Sequence, residues 1–226
     1  MTKTSAKKTK RRGPGRPSKE IHGDLALLRA GQSAFARHGF EGASLRKIAA
    51  TAGVDPALIA HHFGSKEAFW KAVVNRLVEN LMPMLAELEE LQEQVQIPIR
   101  LRFEKAIRRM IASVCEEPDL GMFFSRMNAE RGETLDLVIE KMIRPHHDAF
   151  LPLLEEAMRA NVIRTQPVEL LYFMLWNTVL MTVSYRHVFE LFEPTFGDLD
   201  QLHAAMADGI LNTFFVDAPK PVRPKK

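Results

Sequence analysis

The 226-residue chain is predicted to be all-α on three observations. Capping residues recur ahead of apolar runs, the apolar residues in those runs return at helical spacing, and no stretch of useful length alternates apolar and polar side chains as a strand would. The elements follow in order. Asp24 is placed to cap a first helix through Leu28, Ala34 and Phe35, and Gly39 to end it in the left-handed conformation. Ser44 is placed to cap a second, short helix, LRKIAATA, with Gly53 supplying the turn behind it. Asp55 caps a third, with Pro56 at its first position, where a missing N–H costs nothing. Ser65 caps a fourth, and Glu67 stands in its first turn, where the helix dipole favours an acid. From Phe69 the apolar residues Val73, Leu77, Leu81, Leu85 and Leu88 mark one face of a long helix that Pro83 is expected to kink. Further helices are expected over 98–116, 119–130, 134–160, 167–191 and 198–216.

Composition sets the class. With 46% hydrophobic and 26% charged residues, this is the make-up of a soluble globular chain, long enough for one or two domains. A single cysteine, Cys115, excludes an internal disulfide. The basic N-terminus has no apolar stretch behind it to act as a signal peptide, so a reducing cytoplasm is the expected compartment. The longest uncharged run, residues 170–185, falls short of the ~20 apolar residues a membrane span requires, and is expected to be a buried helix.

A net charge of +3 hides an asymmetry. Residues 1–22 carry eight Lys/Arg against one Glu, and residues 23–66 carry five against three. Residues 67–216 reverse the sign, with 14 Lys/Arg against 23 Asp/Glu, and residues 217–226 are basic again. A basic head on an acidic body suggests that the head meets a polyanion while the body stays clear of it.

Spacing within residues 44–63 specifies how. Two short helices joined at Gly53, with small Ala49 four residues before the turn and Ile59 six after it, fit a helix-turn-helix. The third helix is then the reader: Leu58 or Ile59 and Phe63 pack inward, while Asp55, Pro56, Ala57, Leu58, His61 and His62 are the candidates to face a major groove. Few charges are required there, because apolar contacts and one or two hydrogen bonds read bases while phosphates supply affinity. Ser44, Arg46, Lys47 and Lys66 are the candidate phosphate contacts. Arg46 and Lys47 occupy a helix start, where the macrodipole disfavours cations unless anions lie nearby.

Over about 50 residues, "FARHGFEGASLRKIAATAGVDPALIAHHFGSKEAFWKAVV" resembles the DNA-binding domain of the TetR (tetracycline repressor) family, through its IAATAGV turn and its HFGSKE close. The resemblance implies an all-helical homodimer with an N-terminal three-helix helix-turn-helix domain and a larger C-terminal domain that dimerises and binds a small molecule. It implies a ligand-responsive repressor released from a near-palindromic double-stranded DNA operator by an effector whose identity is not legible. Ala60 stands where many members carry tyrosine, and His61 is the neighbouring side chain able to supply that contact.

On this reading, residues 1–22 form a basic arm, 23–66 the DNA-binding domain, 67–216 the effector-binding and dimerisation domain, and 217–226 a basic tail. Within the arm, Arg16 sits in a "GRP" that resembles an AT-hook core, an alternative to a solvated tail. An architectural A·T-preferring DNA-binding protein without an effector is the competing class. In the body, "VELLYFMLWNTVLMTVSYRHVF" is apolar nearly all round and, with "LDQLHAAMADGILNTFFV", is expected to form the homodimer interface. Arg126, Asn128, His146, Trp176, Asn177 and Tyr185 are candidates to line an effector cavity, although each taken singly reads more readily as a satisfied core or interface residue. Adjacent His146 and His147 point about 100° apart on a helix and cannot easily share an ion, so no metal and no cofactor is expected. No phosphate loop, nucleophile elbow or zinc helix is present, and no enzymatic activity is expected.

Overall fold

Local capping chemistry organises the computed structural model, which describes residues 19–117, 119–127 and 130–216. Its described residues are all-α: one antiparallel bridge, Ile163 to Phe215, stands outside the helices, and there is no strand. Helices α1 (Lys19–Gly42), α2 (Leu45–Ala52) and α3 (Pro56–Phe63) pack with the start of α4 (Lys66–Glu93). Gly53, at φ 68°, makes the turn between α2 and α3, and the N–H of Val54 reaches back to Ala49 O at 3.0 Å. Asp55 accepts from the N–H of Ala57 at 2.7 Å, and the Ser65 hydroxyl from that of Ala68 at 3.1 Å. Ser44, expected to cap α2, holds the cap position but its exposed side chain makes no bond to the helix. Leu27, Phe35, Ile48, Ala49, Ile59 and Phe69 are buried at the centre of this unit.

Two expectations for the first helix meet different outcomes. Gly39 does interrupt it, at positive φ, but with φ 70° and ψ 178° it lies outside the left-handed helical region, and a last helical turn runs on to Gly42. Asp24, however, is not its cap: α1 begins at Lys19, and the Asp24 carboxylate sits inside the helix, 2.8 Å from Nδ1 of His62.

The remaining helices are α5 (Ile99–Glu116), α6 (Leu120–Met127), α7 (Glu133–Val138), α8 (Arg144–Arg159), α9 (Val168–Ser184), α10 (Arg186–Phe189) and α11 (Leu199–Phe214). Helix α5 lies against α4, α8, α9 and α11, while α6 is inserted between α1 and α9. The long α4 passes through Pro83 as one helix. The segment expected to be helical over 134–160 instead contains a π-helical turn, Ile139–Ile143. Pro145 has no N–H with which to continue the α pattern, and the Arg144 N–H bonds Ile139 O five residues back. The helix expected over 167–191 breaks at Tyr185, and a 3-10 turn at Pro194–Gly197 precedes Asp198, whose carboxylate caps α11.

Three polar or close contacts fix how these helices sit. Gly121 brings α6 onto α9, because a Cβ there would enter the space of the Leu180 carbonyl and the Ser184 hydroxyl. The buried Arg102 guanidinium bonds Leu91 O at 3.2 Å, Ile97 O at 3.0 Å and the Glu156 carboxylate, which ties the end of α4 to α5 and α8. The Glu117 carboxylate accepts from Gln32 of α1 at 3.0 Å with one oxygen and from Asn80 of α4 with the other.

Candidate nucleic-acid interface and cavity

Burial sorts the α3 side chains. Ile59 is 1% exposed and Phe63 lies edge-on to Phe69, with ring centroids 4.9 Å apart. Asp55, Pro56, Ala57 and His61 are exposed, and Leu58 is half-buried without joining the core. The outer face of α3 is therefore small, apolar and imidazole-bearing, with Asp55 engaged in its cap. His62 departs from expectation: it turns to the Asp24 carboxylate on α1 rather than outward, a pairing across 38 residues that spacing within α3 does not reveal.

Cations flank this face. Arg46 and Lys47 are exposed at the start of α2 and form no ion pair among the described residues, and the Ser44 hydroxyl beside them is exposed. Lys66 is half-buried: its ammonium donates to Glu41 O at 3.0 Å and lies 5.0 Å from the centre of the Phe40 ring, so it also anchors α4 to the end of α1. Sequence reasoning missed Arg37 and His38. The fold brings them beside Ser44, Lys47 and Thr51 around a cleft of about 240 Å³ between α1 and α2. Only the packing of α1 on α2 could have shown this. Arg16 lies outside the described residues.

A second cavity, of about 130 Å³, opens between α6 and α9. From α6 it is lined by Gly121, Phe124, Ser125 and Met127. From α9 it is lined by Phe173, Trp176, Asn177, Leu180 and Met181, and Ile143 closes one side. Of the candidates named from sequence, Trp176 and Asn177 line it. His146 stands behind Trp176, ring centroids 4.3 Å apart. Tyr185 is half-exposed beyond the end of α9 and is not part of the lining. Arg126 points the other way, its guanidinium 3.5 Å from His38 O and close to the Gly39 break, because α6 shows one face to the cavity and the opposite one to α1. Asn128 lies outside the described residues. Phe124, Ser125, Phe173 and Met181 were not anticipated: α6 is eight residues long, too short for periodicity to show which face is enclosed.

The two histidines on α8 have opposite environments. His146 is 2% exposed, its Nδ1 2.8 Å from the Tyr172 hydroxyl and its Nε2 buried with no partner. Burial, and then the neighbouring His147, push its pKa down to about 3, so it is neutral near neutral pH. Burial also opposes charge on His147, but Asp148 at 2.8 Å and Glu169 at 2.7 Å outweigh it and hold its pKa above the ordinary value. Burial pushes the Cys115 thiol up to about 11. Among the described residues no group of three or more His, Cys, Asp or Glu is placed to hold a metal ion, and no helix is long and apolar enough to cross a membrane.

One apolar surface remains uncovered. On α9, Leu170, Phe173 and Met174 are each about half-exposed, and beyond it Leu191 and Phe192 are 80% and 83% exposed.

A family model described as "Bacterial regulatory proteins, tetR family" matches residues 27–73. The HTH-type transcriptional regulatory protein RaaS of Mycobacterium tuberculosis is 28% identical over 147 residues, 65% of this chain and 62% of the relative. The HTH-type transcriptional dual regulator CecR of Shigella flexneri is 32% identical over 143 residues, 58% of this chain and 64% of the relative. The chain thus spans less than two thirds of the length of these relatives. Among solved structures, the hemolysin II transcriptional regulator HlyIIR superposes with a TM-score of 0.62 at 18% identity, covering 84% of this chain and 99% of the other. AibR, solved with isovaleryl coenzyme A and operator DNA, superposes with a TM-score of 0.66 at 20% identity, covering 85% and 98%.

Proposed function

The chain carries a tetR-family regulatory segment over residues 27–73, and on that premise we propose that it is a sequence-specific DNA-binding transcriptional regulator, a repressor released from its operator by a small-molecule effector. The observation that carries this reading is the division of α3 into a buried Ile59 side and an open face of Pro56, Ala57, Leu58 and His61 between the exposed cations of α2 and Lys66. Such a face meets base edges while Ser44, Arg46, Lys47 and Lys66 meet phosphates. His62 contributes by holding α3 to α1 through Asp24.

In this reading the protein acts in the cytoplasm as a homodimer whose contact surface is the open side of α9 with α11, which sets two α3 helices against successive major grooves of a near-palindrome. Residues 23–66 form the reading unit, 67–216 the effector and dimer unit, and Arg16 in the arm of residues 1–22 enters an A·T-rich minor groove. The effector occupies the cavity between α6 and α9. Helix α6 touches both ends of the system, with Phe124 and Ser125 on the cavity and Arg126 against the end of α1. An effector that binds one placement of α6 better than another shifts the reader by that difference in affinity.

Footprinting on DNA upstream of the protein's own gene, with scrambled duplex as competitor, tests the proposal. A regulator prefers its operator by ~10³ or more, and an architectural protein shows little preference.

A further inference from the structure

The walls of the cavity between α6 and α9 specify the chemistry of what fits there. None of the lining residues is charged. Arg126, a cation on the helix that forms one wall, is turned to His38 O. His146, behind the Trp176 wall, is buried among Phe150, Tyr172 and Trp176. An anion pressed between these walls would meet no charged lining residue, and the part of it that passes the exposed Ser125, Phe173 and Asn177 at the mouth would give up hydration without a charge in return.

Size and polarity narrow the class further. At about 130 Å³ the cavity is close to the engineered apolar cavity of ~150 Å³ that accepts benzene. Phe124, Phe173 and Trp176 supply aromatic faces, which suit a flat ring. Asn177 spends one of its two amide N–H groups on Phe173 O at 2.8 Å, which leaves its carbonyl oxygen as an acceptor and its second N–H as a donor at the mouth, where the Ser125 hydroxyl also lines the wall.

We infer that this cavity takes a small uncharged ring compound bearing a hydrogen-bond donor, of the phenol class, and neither a free carboxylate nor a coenzyme A thioester. This rests on the reading of the cavity as the effector site.

The test is calorimetric titration of the full-length protein with phenol, benzoate and isovaleryl coenzyme A at neutral pH, repeated on Ser125→Lys and Trp176→Leu. Phenol and benzoate share a ring and differ in charge, since a phenolic hydroxyl titrates near 10 and a carboxyl near 4. Phenol is expected to bind at least about tenfold more tightly than benzoate, with no binding of the thioester. The Ser125→Lys change, at an exposed lining position on α6 away from the open side of α9, is expected to narrow or invert the preference, and Trp176→Leu to weaken phenol while α-helical content persists. Benzoate or thioester binding as tight as phenol, no phenol binding up to millimolar concentration, or a preference unmoved by Ser125→Lys overturns the inference. Operator release is read separately. Phenol binding without release leaves this inference standing and removes the regulatory reading, whereas release by the thioester alone does the reverse.

Discussion

The indole of Trp70 on α4 stacks on the ring of Phe123 on α6, with centroids 5.2 Å apart and planes 16° from parallel. On one side Trp70 meets Phe35 of α1 edge-on at 4.9 Å, and on the other Phe123 adjoins Phe124, which meets Trp176 at 6.0 Å. Packed rings therefore run without a gap from the core of the reading unit to the wall of the cavity. A double-mutant cycle of Trp70→Leu and Phe123→Leu, followed by urea unfolding, is expected to return a coupling of about 0.5–1.5 kcal/mol. A coupling of zero would mean that the stack contributes area alone.

Gly121 is required by close approach. Alanine there drives a methyl group into the Leu180 carbonyl, and removing the Ser184 hydroxyl does not relieve it because the carbonyl is backbone. Gly121→Ala is expected to cost about 1–3 kcal/mol, and Gly121→Ala with Ser184→Gly to recover little of it. Full recovery in the double variant would place the obstruction at the hydroxyl.

Reading and holding are divided between adjacent histidines. His61→Ala is expected to cost operator binding about 1–3 kcal/mol and scrambled duplex far less. His62→Ala is expected to lower the melting temperature and to do no further harm when Asp24→Ala is already present. Titrations on both duplexes, with thermal melts of the single and double variants, check the assignment. Equal losses on both duplexes for His61→Ala would remove it from base reading.

Dimerisation is tested on side chains that the protomer leaves open. Phe173 and Leu170 are half-exposed, so Leu170→Glu leaves the fold intact and is expected to yield monomers in sedimentation. Leu180, on the same helix, is 2% exposed within one protomer, and Leu180→Glu is expected to unfold it. A folded, dimeric Leu170→Glu variant would move the interface elsewhere.

Acid acts on His146. Its pKa falls from the ordinary 6.5 to about 3 on folding, so its neutral form is favoured in the native state. Stability from this group is complete above pH 6.5 and is lost as pH falls from there toward 3. His147 has the opposite sign: its raised pKa contributes stability below 6.5 that is lost as pH rises past its folded value. His146→Leu is expected to flatten the decline in unfolding free energy between pH 6.5 and 4. A decline of unchanged slope in that variant would assign acid sensitivity to the carboxylates.

What the sequence made legible was local. The caps at Asp55 and Ser65 and the turn at Gly53 act within four residues, and all appear where they were expected. What it concealed depends on partners far along the chain. Asp24 reads as a cap because its partner His62 is 38 residues away, and Arg126 reads as a cavity residue because the carbonyl it approaches, His38, is 88 residues away. The π-helical turn at 139–143 is not legible because the apolar spacing of 134–160 stays helical through it, and the missing N–H of Pro145 leaves no mark on that spacing.

The two-armed hold of Glu117 on Gln32 and Asn80 has a mechanical consequence. It brackets α1 to the midpoint of α4, so any swing of the reading head would carry the first half of that helix with it about a pivot near residue 80. Helix α4 has 28 residues, which makes it a rod of roughly 42 Å, and its start lies roughly 21 Å from that pivot. A swing of about 5° there would displace α3 by roughly 2 Å, and in the homodimer proposed above two heads swinging in opposite senses would change their span by about twice that, against a groove repeat of ≈ 34 Å.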